Sequence, residues 1–122
     1  MTATDSLRGT IPVAIVGVGK IARDQHVPAI AGSPAFHLAA TASRSGGVEG
    51  VETFESIEAL LAARPDIPAL SLCIPPQVRF EAAVAAIRAG RHVMLEKPPG
   101  ATVAEVRATA LAAAKLLGID PF

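Results

Sequence analysis

The stretch IPVAIVGVGKIARDQH, residues 11–26, decides how the rest of the chain is interpreted. Its apolar run ends at Gly17, Gly19 follows two residues later, and Ala22 follows three residues after that. A strand, a glycine-rich turn and a helix in this order are typical of the phosphate-binding turn of dinucleotide-binding folds. The spacing alone is a weak signal because small residues are common here, so its meaning depends on the elements that follow.

Length and composition favour a single α/β domain. The chain has 122 residues, of which 51% are hydrophobic but only 3% aromatic, with no Trp or Tyr. Small aliphatic side chains must therefore fill the interior, which suits helices packed on a parallel sheet. The formal net charge is zero, from 11 basic and 11 acidic side chains. Without a basic stripe the chain has no electrostatic footprint for nucleic acid, and we expect none to bind.

Cysteine usage and hydropathy exclude other classes of protein. The single Cys73 allows no internal disulfide, and no metal-ligand spacing is present, so we predict no metal site. No apolar run approaches about 18 residues, and MTATDSLRGT at residues 1–10 lacks the apolar region of a signal peptide. We therefore expect no membrane segment and a cytoplasmic location. Residues 1–10 are expected to form a flexible arm, and residues 11–122 a single dinucleotide-binding domain.

Apolar strand patterns and helical patterns alternate along the chain. Strands are predicted at residues 13–16, 36–43, 51–54, 69–74 and 92–96. Helices are predicted from about Lys20 with an interruption near Pro28, then over about 56–63, 78–89 and 102–117, with Ser56 and Thr102 as N-caps. Strands separated by helices predict right-handed βαβ units and a Rossmann-type, doubly wound parallel sheet. The glycine turn then has the strand and helix that its function requires.

Three separated stretches, and the spacing between them, resemble one protein family. They are VAIVGVGKIARDQHVPAI (13–30), ATASR (40–44) and SLCIPPQVRFEAAVAAIRAGRHVMLEKPPGAT (71–102), and AGRHVMLEKP (89–98) is the most specific part. The chain resembles the amino-terminal domain of the glucose–fructose oxidoreductase/inositol dehydrogenase (Gfo/Idh/MocA) family over nearly all of residues 12–117. Within the family it is most similar to bacterial enzymes that oxidise galactose or arabinose at C1.

The resemblance implies an enzyme whose reaction is NAD(P)-dependent oxidation of an aldose to a lactone. Family members continue into a sixth strand and a substrate domain, whereas this sequence ends at LLGIDPF, residues 116–122. We therefore expect a truncated cofactor domain that binds nucleotide but is inactive alone. The resemblance leaves a homo-oligomer open. A non-catalytic nucleotide-sensing module of the same family is the alternative interpretation, and a generic nucleotide-binding Rossmann domain is a third.

The glycine turn is the first candidate part of the cofactor site. Gly17 permits the tight bend, Gly19 lets the backbone approach a pyrophosphate, and Ala22 keeps the helix close to the sheet. Free N–H groups at the start of the helix, at Lys20 and Ile21, and the helix dipole favour the anionic diphosphate.

Ser43 and Arg44 are the residues expected to choose between cofactors. Ser43 lies 24 residues after Gly19, where an Asp or Glu would accept hydrogen bonds from ribose hydroxyls and repel a 2′-phosphate. A hydroxyl beside a guanidinium group suits a phosphate monoester instead. The pair favours NADP, with NAD still usable, although Arg44 also fits an ordinary solvated loop.

The last candidates end the two strands beyond the glycine turn. Pro75 and Pro76 stop the strand that contains Cys73, and the resemblance implies that this backbone lines the nicotinamide-side ribose. Cys73 is better explained as a small buried residue than as a reactive thiol. The resemblance also implies that Glu96 contacts this ribose and that Lys97 is catalytic, contacting the sugar hydroxyl that is oxidised. A surface Glu–Lys pair is the simpler alternative.

Two further features accompany these candidates. The Lys97–Pro98 bond is a candidate cis peptide, because such bonds are almost confined to proline. Residues 24–26, ending at His26, lie where the first helix is expected to break, so a substrate-contacting or loop-fixing role is open for them. His92 begins a strand and is expected to be structural.

Overall fold

The computed structural model describes residues 9–118, so the expectations for residues 1–8 and 119–122 lie outside the described residues. One parallel sheet contains β1 (Ile11–Val16), β2 (Phe36–Ala42), β3 (Glu52–Phe54), β4 (Ala69–Leu72) and β5 (His92–Leu95). Their order across the sheet is β3-β2-β1-β4-β5, and every neighbouring pair is parallel. This order confirms the predicted Rossmann-type, doubly wound sheet.

The helices follow the predicted alternation. They are a π-helical segment (Ala22–His26), α1 (Val27–Ala31), α2 (Ile57–Ala63), α3 (Pro76–Arg88) and α4 (Val103–Leu117). The two predicted N-caps are confirmed, because the Ser56 and Thr102 hydroxyls accept from amides three residues on, each at 3.1 Å. The Glu105 carboxylate accepts from the Ala101 amide at 2.9 Å, one residue before the N-cap, so it supports this helix start without closing a full capping box.

The first helix differs from the prediction in where its irregularity lies. Residues 20–31 form one helical run, and the π-helical segment begins at Ala22 rather than near Pro28. Pro28 has no N–H to donate one turn back, and the helix widens just before it, so that the Val27 amide reaches the Ala22 carbonyl. Pro28 itself lies in the first turn of α1, where its ring is tolerated. The widened turn buries His26.

Within the expected arm of residues 1–10, the structure shows a contact at the last residue. The Thr10 hydroxyl lies 2.7 Å from Nδ1 of His37, so residue 10 is attached to β2 by a side-chain hydrogen bond. Residues 1–8 of the arm lie outside the described part of the chain.

The core is built on β1, which lies in the centre of the sheet. Ala14 and Ile15 are completely buried, and Leu60 of α2 and Leu72 of β4 are equally inaccessible. Strand β1 pairs with β2 on one side and β4 on the other, while the chain leaves it first towards β2. Such a reversal point opens a crevice beyond the carboxyl ends of the strands, where ligands bind in doubly wound sheets.

Candidate functional site

Four neighbouring strands end in register, and a candidate residue follows each of them. The pairs Val16↔Ala42 and Val16↔Leu72 close the β1 ladders, and Leu72↔Leu95 closes the ladder between β4 and β5. The next residues in the chain are Gly17, Ser43, Cys73 and Glu96. The sheet therefore brings together, at one edge, residues that are far apart in sequence.

A cleft of about 540 Å³ lies beyond the ends of β1, β2 and β4. Six of the candidate residues line it: Gly17, Gly19, Ser43, Arg44, Cys73 and Pro75. The other five, Lys20, Ile21, Pro76, Glu96 and Lys97, do not line it. The cleft thus joins the glycine turn to the ends of β2 and β4, while Glu96 and Lys97 lie past it, at the end of β5.

Gly17 is required by the local packing. Its φ is +89°, and a Cβ there would lie 2.7 Å from Cγ2 of Ile74 and 3.0 Å from the carbonyl oxygen of Cys73. Its amide donates to the Ala42 carbonyl at 2.8 Å. Only glycine fits this position without displacing the turn that follows β4.

Gly19 has no such packing reason. A Cβ at this position would meet no atom of the described chain within 4 Å, although Gly19 lines the cleft. The missing side chain therefore leaves the backbone open to a ligand, which fits the close approach of a pyrophosphate. Helical residues begin at Lys20, and the amides of a first turn have no acceptor within their own helix. The Lys20 ammonium is occupied by Asp24 at 2.5 Å on the exposed face.

Hydrogen bonds hold Ser43, the residue that follows β2, in place. The Ser43 amide donates to the Phe54 carbonyl at 2.9 Å, and the Ser43 hydroxyl accepts from the Ser45 amide at 3.2 Å. Arg44 is exposed, and no hydrogen bond or ion pair of its side chain is found within residues 9–118. Its guanidinium group is therefore available to a ligand in the cleft.

The cleft also contains acidic residues that the sequence analysis did not single out. Glu55, Glu58 and Glu81 line it and are exposed to solvent. Their carboxylates oppose the binding of an anion, although exposure and ionic screening weaken this repulsion. The electrostatic character of the cleft is thus mixed rather than basic.

Cys73 has the environment of a packing residue. Its amide donates to the Val16 carbonyl at 2.8 Å, and the side chain is half-buried. Burial raises the pKa of its thiol, against a smaller opposing effect of a hydrogen bond with Ser71. The thiolate that a nucleophile would require is therefore disfavoured.

Glu96 is held by a buried histidine on the first helix. Nε2 of His26 lies 2.6 Å from Oε1 of Glu96, and Nδ1 lies 2.6 Å from the Ser71 hydroxyl. The contact with His26 is the main reason why the pKa of Glu96 is lowered. A neutral imidazole satisfies both contacts when its proton is on Nε2, because an ionised carboxylate can only accept. The loop-fixing role considered for His26 thus has a partner in Glu96.

Lys97 extends from this anchored residue. Its side chain is exposed, and it has no hydrogen-bond or ion-pair partner within the described range 9–118. The Lys97–Pro98 peptide is cis, as predicted.

Arg79 is a further residue that sequence reasoning missed. It is only 4% exposed, and its guanidinium group donates to the carbonyls of Ile74, Glu96 and Pro98. It lies on the buried stripe of α3 together with Ala82, Ala83, Ala86 and Ile87. A charged residue on an otherwise apolar stripe is the signal that could have revealed it.

The described chain offers neither a metal site nor a membrane span. Within residues 9–118 no group of three or more His, Cys, Asp or Glu side chains could hold a metal ion. In the same range no helix is both long and apolar enough to cross a membrane.

The strand order and the glycine turn define a dinucleotide-binding domain of the Rossmann class. The model of the Gfo/Idh/MocA oxidoreductase family, described as an NAD-binding Rossmann fold, matches residues 11–118. The chain belongs to this family, and it is an NAD(P)-binding domain of the oxidoreductase type.

Individual relatives are similar over most of this chain. A galactose 1-dehydrogenase from Pseudomonas fluorescens is 48% identical over 93 residues, which are 76% of this chain and 31% of that protein. The crystal structure of a D-galactose-1-dehydrogenase protein from Rhizobium etli has a TM-score of 0.86 and 58% identity, covering 88% of this chain and 35% of that one.

A third relative was solved with a cofactor. KijD10, a 3-ketoreductase from Actinomadura kijaniata in complex with TDP-benzene and NADP, has a TM-score of 0.80 and 29% identity. The match covers 90% of this chain and 36% of that one. The chain thus spans about a third of the length of the relatives it matches.

The contact between His26 and Glu96 predicts a change in titration. Replacing His26→Leu, a side chain of similar size, removes the main cause of the lowered pKa of Glu96. We expect that pKa to rise towards its ordinary value, as measured by carboxyl ¹³C NMR. The control His92→Leu changes an exposed histidine of β5 and should leave the Glu96 titration unchanged.

The sign of the stability effect follows from linkage. Because the lowered pKa belongs to the folded state, this contact stabilises the fold above the unfolded-state pKa of glutamate. That contribution is lost as the pH falls through the folded-state pKa. An unchanged Glu96 titration in folded His26→Leu would show that His26 does not hold the carboxylate.

Proposed function

We propose that this chain is the cofactor domain of a sugar dehydrogenase that oxidises an aldose such as galactose or arabinose at C1 to a lactone, with hydride transfer to NADP. The observation that carries the proposal is the open position beside Gly19, next to strand ends that also carry Cys73 and Glu96. The galactose 1-dehydrogenase of Pseudomonas fluorescens, 48% identical to this chain, supports the substrate class.

The residues present fit a dinucleotide. The open face at Gly19 would admit the pyrophosphate, and the first helical amides at Lys20 and Ile21 would donate to it. The backbone from Cys73 to Pro76 would support the nicotinamide-side ribose, and Glu96 would accept from its hydroxyls. When bound, the oxidised nicotinamide would accept the hydride from C1, while the sugar hydroxyl loses its proton as the carbonyl forms.

Lys97 is proposed to handle that proton. Its ammonium group is exposed and unpaired in the described chain, whereas Glu96 before it is anchored by His26. A positive charge close to the hydroxyl would stabilise the developing negative charge on oxygen and orient the substrate. The protein therefore contributes position and charge, and the cofactor contributes the redox chemistry.

Arg44 is the proposed reason for a preference for NADP. Its free guanidinium group at the end of β2 could contact a 2′-phosphate, a contact that NAD lacks. Glu55 and Glu58 line the same cleft and should reduce the preference. The relative KijD10 was solved with NADP, which supports the proposal without extending to this chain's own preference.

Two further expectations accompany the proposal. A cytoplasmic location and a homo-oligomer both stay predictions. The competing interpretation, a nucleotide-sensing module without catalysis, shares the cofactor site with the dehydrogenase and differs from it in having no use for Lys97.

Gly19→Val tests nucleotide binding. Two methyl groups would occupy the space expected for the pyrophosphate, so binding of NADP should fall below calorimetric detection. The fold should survive, because a Cβ at Gly19 meets nothing within 4 Å. Gly32→Ala, a glycine with an ordinary φ at the end of α1, is the control and should bind as the wild type does. Unchanged affinity in folded Gly19→Val would refute the assignment of the glycine turn.

Lys97→Ala tests the catalytic role. The chain alone should oxidise no aldose, whereas a longer polypeptide that adds a substrate domain of this family should oxidise galactose or arabinose. Lys97→Ala in that polypeptide should lower kcat by about two orders of magnitude, the scale of losing a positioned proton-transfer or charge-stabilising group. Lys115→Ala, an exposed lysine of α4, is the control. Full turnover of Lys97→Ala would contradict the proposed role and favour the sensing module.

The double variant Ser43→Asp with Arg44→Ala tests cofactor choice. A charge-assisted hydrogen bond contributes roughly 1.5–3 kcal/mol, so the wild type should prefer NADP by about tenfold to a hundredfold. A carboxylate at residue 43 would accept from ribose hydroxyls and repel a phosphate, so the preference should reverse. Both affinities must be measured at one ionic strength, because salt screens the contact. Equal affinity of the wild type for NAD and NADP would show that Arg44 is only a solvated loop residue.

A further inference from the structure

We propose that Arg79 is a positioning residue that sets the distance between the two loops supporting the nicotinamide half of the cofactor. This inference rests on the proposed function, because it assigns those loops to the nicotinamide side. It concerns a residue of α3 that is not itself expected to touch the cofactor.

The guanidinium group of Arg79 connects two loops that the sheet no longer connects. The ladder between β4 and β5 ends at the pair Leu72↔Leu95. Beyond it, Nη2 and Nε of Arg79 donate to the Ile74 carbonyl at 2.7 and 3.2 Å. Nη1 donates to the Glu96 carbonyl at 2.6 Å and also to that of Pro98. Arg79 thus connects the two chain segments one to three residues past the last ladder pair.

The hydrogen-bond partners of Arg79 are backbone carbonyls, which indicates that this side chain positions the backbone rather than pairing with an opposite charge. Its side chain is 4% exposed, yet no ion pair to it is found within residues 9–118. Burying a cation is costly, and the positive end of the α3 dipole increases that cost. The Glu96 carboxylate interacts with Arg79 through space, but this is the smallest of the effects that lower the Glu96 pKa, and it offsets only part of the cost. An apolar side chain on the same stripe would avoid it. We infer that the contribution of Arg79 is the placement of the loops.

The shape of the guanidinium group explains why arginine serves here. Its planar fork presents donors in fixed directions, so one side chain can bind carbonyls of both loops at once. A lysine ammonium at the same place is a compact charge on a flexible stem. A lysine could donate hydrogen bonds to the carbonyls of one loop, but it would not hold the two loops at a set separation.

The test compares the whole cofactor with its adenosine half. The 122-residue chain and its Arg79→Lys variant are titrated with NADPH and with 2′,5′-ADP, or with NADH and ADP if the wild type prefers NAD. Arg79→Lys should weaken NADPH binding about tenfold while changing 2′,5′-ADP binding less than about twofold. The matched control Arg88→Lys, an exposed arginine at the end of α3, should change neither affinity.

Each outcome separates the inference from the proposed function. A wild type that binds no dinucleotide overturns the proposed function. A folded variant that binds NADPH as the wild type does overturns the inference alone. Equal losses for both ligands would indicate a general structural role and would also overturn it.

A second measurement covers the case in which Arg79→Lys does not fold. In the wild type, the Arg79 Nε–H resonance should shift when NADP binds and stay unchanged when 2′,5′-ADP binds. A resonance that responds equally to both ligands, or to neither, would contradict the inference.

Discussion

The parallel hydrogen bonding of β1 with β2 and β4 is the constraint on which the site depends. These ladders, and the one that adds β5, all close at the same level, at Val16, Ala42, Leu72 and Leu95. The residues that follow do not continue the ladders, because the chain bends at Gly17 into the first helix and two prolines follow β4. Backbone groups, a glycine bend and short polar side chains therefore meet along a single edge. The cleft is a consequence of where the strands stop.

Beyond that edge, two buried polar side chains hold in place a residue that no strand pairing restrains. His26 reaches across from the widened first helix to the Glu96 carboxylate, and Arg79 reaches from α3 to the Glu96 carbonyl. The first helix thus holds the side chain of Glu96, and α3 holds its backbone. Lys97 comes next in the chain and has no such restraint among the described residues. An anchored residue followed by an unrestrained ammonium group is the arrangement that the proposed role of Lys97 requires.

Most of the fold could be predicted because its signals are local. The apolar runs, the glycine after β1 and the prolines after β4 located the strands to within about two residues, and Ser56 and Thr102 located two helix starts. The family resemblance placed the candidate residues, and their appearance directly after successive strands is what a doubly wound sheet requires. The π-helical segment was not foreseen, because the sequence indicates that Pro28 disturbs a helix but not on which side the helix adjusts.

The rest of the site depends on contacts between distant residues. The sequence shows that Arg79 lies on the apolar stripe of α3, but it does not show the partners of this side chain. The carbonyls of Ile74, Glu96 and Pro98 come within its reach only when α3 packs against the segments that follow β4 and β5. Glu55 and Glu58 follow β3 in sequence, and only the pairing of β3 with β2 brings them to the cleft that Arg44 lines. The separation of Lys97 from that cleft likewise follows from the position of β5 at the edge of the sheet.

The common level of the strand ends also restricts how the length of this chain can vary. A strand advances by about 3.3 Å per residue and alternates its side chains between faces. Deleting one residue within β5 would therefore pull Glu96 away from His26 and turn it to the opposite face of the sheet. The loop between β2 and β3 carries no such restriction over residues 48–50, which lie outside every ladder. Insertions and deletions that preserve this site are thus confined to the loops between strands and helices, because the length of each strand determines where the residue after it lies.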